Sequence, residues 1–108
     1  MNLSDMRATA PKVCELLRQL ANENRLMLLC QLVTQERSVG DLAQCLQMRQ
    51  AGVSQHLARL RSAGLVCTRR EAQTIYYSIA DPDVAKLLRF LYETYCSDDA
   101  SSGVTSTC

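Results

Sequence analysis

From Leu42 to Arg70 the chain has no acidic residue. Over its whole length it has one histidine, His56, and no CxxC pair. No apolar run approaches the ~18–20 residues that span a bilayer. Each absence removes a class of protein. Without a long apolar block, no membrane partner is expected. The opening Met-Asn-Leu-Ser-Asp-Met-Arg has neither the basic start nor the apolar centre of a signal peptide, so a cytoplasmic location is expected. There thiols stay mostly reduced, and the six cysteines (14, 30, 45, 67, 96 and 108) do not read as a disulfide scaffold. Their spacing and the lone histidine give poor support to a structural zinc site, and no metal or cofactor is expected. An enzyme would lack machinery: there is no glycine-rich phosphate loop and no carboxylate pair in a plausible pocket. There is no internal repeat. With 108 residues the chain is one domain, and its small core is marginal unless a dimer buries more.

What is present is concentrated positive charge. The acid-free window holds Arg49, Arg59, Arg61, Arg69 and Arg70, while the remainder carries seven basic and eleven acidic residues. A near-neutral protein that gathers its cations on one segment has the electrostatics of a surface facing phosphate. The alternative is a solvated helix face that happens to lack acids.

The apolar periodicity supplies the elements. Val13, Leu16, Leu17 and Leu20 predict a helix over 9–21, with Pro11 in its first turn. Asn22 can cap a second helix over about 23–34, with Leu26, Leu29, Cys30 and Val33 on one face. Ser38-Val-Gly-Asp41 resembles a capping box and opens a short helix through Leu46. After a tight connection at 47–49, a helix runs from about Gln50 to Ser62 with Val53, Leu57 and Leu60 inward, and Gly64 stops it. Two helices joined by about three residues, the second bearing polar groups and arginines, describe a helix-turn-helix. The period then changes to two. Residues 65–70 and 74–79 read as strands joined by Glu71-Ala72-Gln73, which makes a wing. Pro82 opens a last helix through about Tyr95, striped by Val84, Leu87, Leu88, Leu91 and Tyr95. The predicted fold is mainly α with a β-hairpin wing, a winged helix-turn-helix over 1–96. The small, polar residues 97–108 read as a disordered tail.

This order implies double-stranded DNA as the partner. Gln50, Ser54, Gln55 and Arg59 fall on or near the outer face of the second helix of the pair. Gln suits adenine, Arg suits guanine, and Ser adapts to either. His56 beside them serves a base or a phosphate, or is a semi-buried residue bonded locally. Arg61, Arg69 and Arg70 suit phosphates, which position without specifying sequence. Arg49 opposes the dipole of the helix it precedes and offers no capping oxygen, so it either meets a phosphate or is simply a poor cap. Gln73 at the wing tip reaches the minor groove or is a plain turn residue. One recognition helix reads few base pairs. A homodimer on a palindromic operator places two of them about one DNA turn apart. The first and last helices have the surplus apolar surface for that interface, unless both only complete the monomer core.

Several segments resemble the ArsR family of winged-helix repressors: Leu-Ala-Asn-Glu-Asn-Arg-Leu (20–26), Ser-Val-Gly-Asp-Leu-Ala (38–43), Val-Ser-Gln-His-Leu-Ala-Arg-Leu-Arg (53–61), Gly-Leu-Val (64–66) and Arg-Arg-Glu-Ala-Gln-Thr-Ile-Tyr-Tyr-Ser (69–78). The likeness covers roughly 9–96. Many members sense metals through a Cys-Val-Cys in the first helix of the pair, or through Asp and His on the last helix. Here the first place reads Ser38-Val39-Gly40-Asp41-Leu42, and the last helix has Asp83 but no histidine. The chain is more similar to the non-metal branch that includes BigR, SqrR, YgaV and HlyU. That branch has one cysteine in the second helix, matched by Cys30, and one ending the last helix, matched by Cys96. The resemblance implies a repressor released from DNA when reactive sulfur species or oxidants link Cys30 to Cys96. A metal or arsenite sensor using Cys14, Cys45 or Cys67 is the alternative within the family, and a NolR-like regulator without ligand is another. Cys14, Cys45 and Cys67 are expected to pack, and Cys108 to be incidental.

Overall fold

The computed structural model describes residues 1–96. The tail expected over 97–108, with Cys108, lies outside the described residues.

Helix α1 (Leu3–Leu20) begins six residues earlier than its apolar period suggests. Asn2 caps it, its side chain accepting from the backbone N–H of Ser4 at 2.8 Å and of Asp5 at 3.3 Å. Pro11 therefore sits in the middle of the helix and not in its first turn. It is exposed, so the carbonyl deprived of its partner can meet water. Helix α2 (Glu23–Leu32) starts at the expected cap, Asn22, which accepts from the Arg25 N–H at 3.0 Å. A two-residue strand, β1 (Arg37–Ser38), follows. Ser38 ends it and caps α3 (Val39–Leu46), accepting from the Asp41 N–H at 3.1 Å.

Helix α4 (Gln50–Ser62) has the predicted bounds. It stops in a Schellman motif: the Leu65 N–H bonds the Leu60 carbonyl and the Gly64 N–H bonds the Arg61 carbonyl, both at 2.9 Å. Gly64 takes φ +81°, which an L side chain resists. Strands β2 (Val66–Glu71) and β3 (Thr74–Ile79) form the hairpin, from Val66 opposite Ile79 to Glu71 opposite Thr74. β1 adds to the other side of β3, so the antiparallel sheet has the order β1-β3-β2. Asp81 then accepts from the Asp83 N–H at 2.9 Å, and Pro82 opens α5 (Pro82–Cys96).

The core lies where α2, α3, α4 and α5 meet. Leu28, Leu29, Leu42, Val53, Leu57, Leu60, Val84 and Leu88 are fully buried. α1 adds only its end, Leu20, with Leu16 partly covered. Cys14 and Cys67, expected to pack, are both exposed. Cys14 lies off the covered side of α1, and Cys67 follows the buried Val66 on β2 and so points to the opposite face. No helix of the described chain is long and apolar enough to cross a membrane.

Candidate nucleic-acid interface and thiol pair

Burial of Val53, Leu57 and Leu60 fixes the roll of α4. Gln50, Ser54, Gln55 and Arg59 are consequently exposed on its outer side, as Arg49 and Arg61 are at its ends. Arg49 precedes the helix with no capping side-chain bond. Arg59 stands toward α1, close enough to help hold the Glu15 carboxyl below its usual range. The larger influence on Glu15 is the bond from Gln19. His56 is half-buried. Desolvation, then the positive charges of Arg25 and Arg59, lower its pKa, so it is mainly neutral at pH 7 and does not add a cation to the interface.

Arg69 departs most from the phosphate expectation. Its Nε donates to Glu36 Oε2 at 3.1 Å, its Nη2 donates to the other Glu36 oxygen, and its Nη1 donates to Glu71 Oε1 at 2.9 Å. The guanidinium also lies 4.9 Å from the centroid of the Tyr76 ring, its cross-strand partner. Both carboxylates push the Arg69 pKa further up, and Arg69 in turn holds Glu36 down. Arg69 thus ties the wing to the loop before β1. Arg70, next to it and exposed, makes no ion pair among the described residues. Gln73 is exposed in the turn beside Ala72, which takes φ +57°.

Two further arginines have structural duties. Arg25 is buried; its Nε donates to the Gln19 carbonyl at 2.8 Å and its Nη2 to the Arg18 carbonyl at 3.3 Å. It thereby satisfies the carboxyl end of α1. The signal was its spacing: residue 25 lies on the same face as Leu28, Leu29 and Leu32. Arg37 donates to the Gln31 carbonyl at 3.1 Å and, at 3.8 Å, to Cys45 Sγ.

Cys30 and Cys96 both carry free thiols. Cys30 lies on the outward side of α2, and Cys96, half-buried, is the last residue of α5. The Cys30 residue is exposed, yet nearby protein displaces enough water that desolvation raises its thiol pKa. The neighbouring Cys96 raises it further. Two thiols from distant parts of the sequence are thus near enough for one to influence the titration of the other. Cys67 Sγ lies 3.4 Å from Ser78 Oγ across the hairpin. Among the described residues no group of three or more His, Cys, Asp and Glu could hold a metal ion.

Residues 22–68 match the family described as "Bacterial regulatory protein, arsR family". The transcriptional activator HlyU of Vibrio cholerae is 45% identical over 96 residues, covering 89% of each chain. This chain belongs to the ArsR family. It is a DNA-binding transcriptional regulator with the winged-helix fold, and not an enzyme. The structure of the transcriptional repressor BigR from Xylella fastidiosa matches with a TM-score of 0.84 at 41% identity, covering 89% of this chain and 98% of that one. A Mycobacterium bovis domain, described as a homodimeric winged helix-turn-helix of a possible ArsR-family regulator, matches with a TM-score of 0.73 at 32% identity, covering 96% and 95%.

Proposed function

We propose that this regulator is a cytoplasmic homodimeric repressor of a palindromic operator, released when Cys30 and Cys96 become linked by reactive sulfur species or oxidants. The observation that carries the reading is that α2 and the end of α5 each present a free thiol, with Cys96 near enough to add to the rise in the Cys30 pKa. Gln50, Ser54 and Gln55 read bases, with neutral His56 as a hydrogen-bonding neighbour and Arg59 at the edge. Arg49, Arg61 and Arg70 hold phosphates, and Gln73 extends the wing. Arg69 positions that wing.

The dimer forms through α1 and α5. Leu3, Met6 and Leu17 on the first, and Phe90 and Tyr95 on the second, are large apolar side chains left in water; Tyr95 is 76% exposed. Such surface marks an interaction site, and the homodimeric Mycobacterium relative is consistent with it.

The chemistry needs two steps. One thiolate attacks a peroxide or takes the terminal sulfur of a persulfide. The second thiolate then attacks the modified sulfur, expels water or hydrosulfide, and closes the disulfide. A persulfide can also leave extra sulfur in the bridge. The link joins α2, which packs on the recognition helix, to the end of α5, which carries the dimer face. Moving one against the other changes the spacing of two recognition helices. A coupling of about 1–3 kcal/mol suffices for such a switch. The raised pKa leaves little Cys30 thiolate at neutral pH, so alkylation of Cys30 accelerates as pH climbs through the ordinary thiol range.

The test is a DNA titration of the reduced protein with and without a persulfide donor, followed by mass analysis. Release accompanied by a Cys30–Cys96 bridge is expected. Retained DNA binding with no bridge removes the thiol switch and leaves a regulator controlled in another way.

A further inference from the structure

Beside Cys30 the α2–α5 seam opens into a groove of about 280 Å³. Val33, Leu88 and Tyr92 give it apolar walls, and Arg89 and Glu93 stand at its sides. Resting on the thiol-switch reading, we propose that this groove is the docking site for the sulfur donor, and that the donor is a small organic persulfide with an apolar body and a single carboxylate held by Arg89.

Size comes first. Ligand pockets run from roughly 300 Å³ upward, so this one sits at the small end and suits a molecule of a few carbons. Charge comes second. Arg89 is exposed and makes no ion pair among the described residues. Glu93 lies one turn on, but Arg followed by Glu is the weaker order for a helical pair, so Arg89 remains available to an anion. A carboxylate matches its planar fork. Glu93 on the same helix opposes a second negative charge, which favours a monoanion. Chemistry comes third. Cys30 is the thiol in the groove, and its scarce thiolate gains from a donor held against it. The Cys30 thiolate attacks the terminal sulfur of R–S–SH, the S–S bond breaks, and R–S⁻ leaves and takes up a proton. The Cys96 thiolate then attacks the inner sulfur of Cys30–S–SH and expels HS⁻. Two thiols and one persulfide give one disulfide, one thiol and one hydrogen sulfide. The two cysteines are oxidised and the donor is reduced.

The experiment measures the rate of Cys30–Cys96 linkage in the full chain by timed quenching and mass analysis. Three probes are compared: the persulfide of 3-mercaptopropionate, the persulfide of cysteamine, and hydrogen peroxide. At low donor concentration, Arg89→Ala is expected to slow the carboxylate donor about ten-fold, the scale of one charge-assisted bond at an exposed site. It is expected to leave the peroxide rate unchanged, and Arg89→Glu to favour the amine donor over the carboxylate. Equal effects of Arg89→Ala on all three probes, or none on the carboxylate donor, overturn the docking site while the thiol switch stands. Failure of all three probes to link the wild-type cysteines removes the switch and the docking site together.

Discussion

Helices α4 and α5 are both amphipathic, and they spend their outer faces differently. α4 buries Val53, Leu57 and Leu60 completely and turns Gln50, Ser54, Gln55 and Arg59 outward. α5 buries Val84 and Leu88 but leaves Phe90 and Tyr95 largely in water. The first outer face is at ease with solvent and suited to phosphate and base edges. The second exposes large apolar side chains, as an interaction surface does. The inner faces do the same work in the two helices, and on the proposed reading the outer faces divide recognition from assembly.

The strongest check on that division is that the inner faces respond alike. Leu60→Ala and Leu88→Ala each remove a fully or almost fully buried side chain. Each is expected to lower stability by about 2–5 kcal/mol in urea denaturation. A loss below about 1 kcal/mol at Leu88 would mean that α5 is held by its outer face alone. The outer faces should then diverge. Phe90→Asp combined with Tyr95→Asp is expected to give a folded monomer by light scattering, with operator affinity lower by roughly two orders of magnitude, because two half-sites are no longer engaged together. A double variant that stays dimeric places the interface elsewhere. Gln55→Ala is expected to leave the dimer intact and to cost about 1–3 kcal/mol of discrimination at one base pair.

Much of this division was legible in the sequence. α4 came out with its true bounds because a period of apolar residues ends at Gly64, and glycine is what the observed φ requires. β1 was missed because two residues carry no period. The start of α1 was missed because residues 3–8 have no buried face to betray them; Asn2 and Asp5 were the available signs. Pro11 then misled, since a proline in an exposed helix interior looks like one in a first turn. Arg25 shared a stripe with leucines, but a cation at a core position is read as an exception until its carbonyl partners are seen. The Arg69 clamp depends on Glu36, thirty-three positions away, and local sequence cannot supply that pairing.

The wing makes the comparison quantitative at adjacent residues. Arg70→Ala is expected to weaken binding to all sequences and to flatten the slope of log affinity against log salt by about 0.9, the loss of one phosphate contact. Arg69→Ala should leave the slope unchanged, because its charge is already matched by Glu36 and Glu71, and should instead raise amide exchange in β2 and β3. An Arg69 variant with the flattened slope would restore that residue to the phosphate surface. The clamp also has a defined pH window. The Glu36 carboxyl is held below its usual range by the bond from Arg69. Its contribution is therefore complete above the unfolded carboxyl's pKa, about 4.3, and is lost only as pH falls through the lower folded value. Wing protection should be flat from pH 6 to 8.

The smallest expected effect concerns the turn between α3 and α4, which repeats the ending of α4 with the wrong residue. The Met48 N–H bonds the Ala43 carbonyl at 2.9 Å and the Gln47 N–H bonds the Gln44 carbonyl at 3.3 Å, the same two closures that surround Gly64. Gln47 must therefore adopt φ +54°, where its Cβ is crowded against its own backbone. Gln47→Gly removes the crowding but gives the unfolded chain more freedom to lose. The first effect is the larger at a left-handed position, so a net gain of about 0.5–1 kcal/mol in thermal unfolding is expected. Operator affinity should be unchanged, because the turn already has the shape that glycine prefers. A gain in stability accompanied by weaker binding would instead assign the Gln47 side chain a contact with DNA.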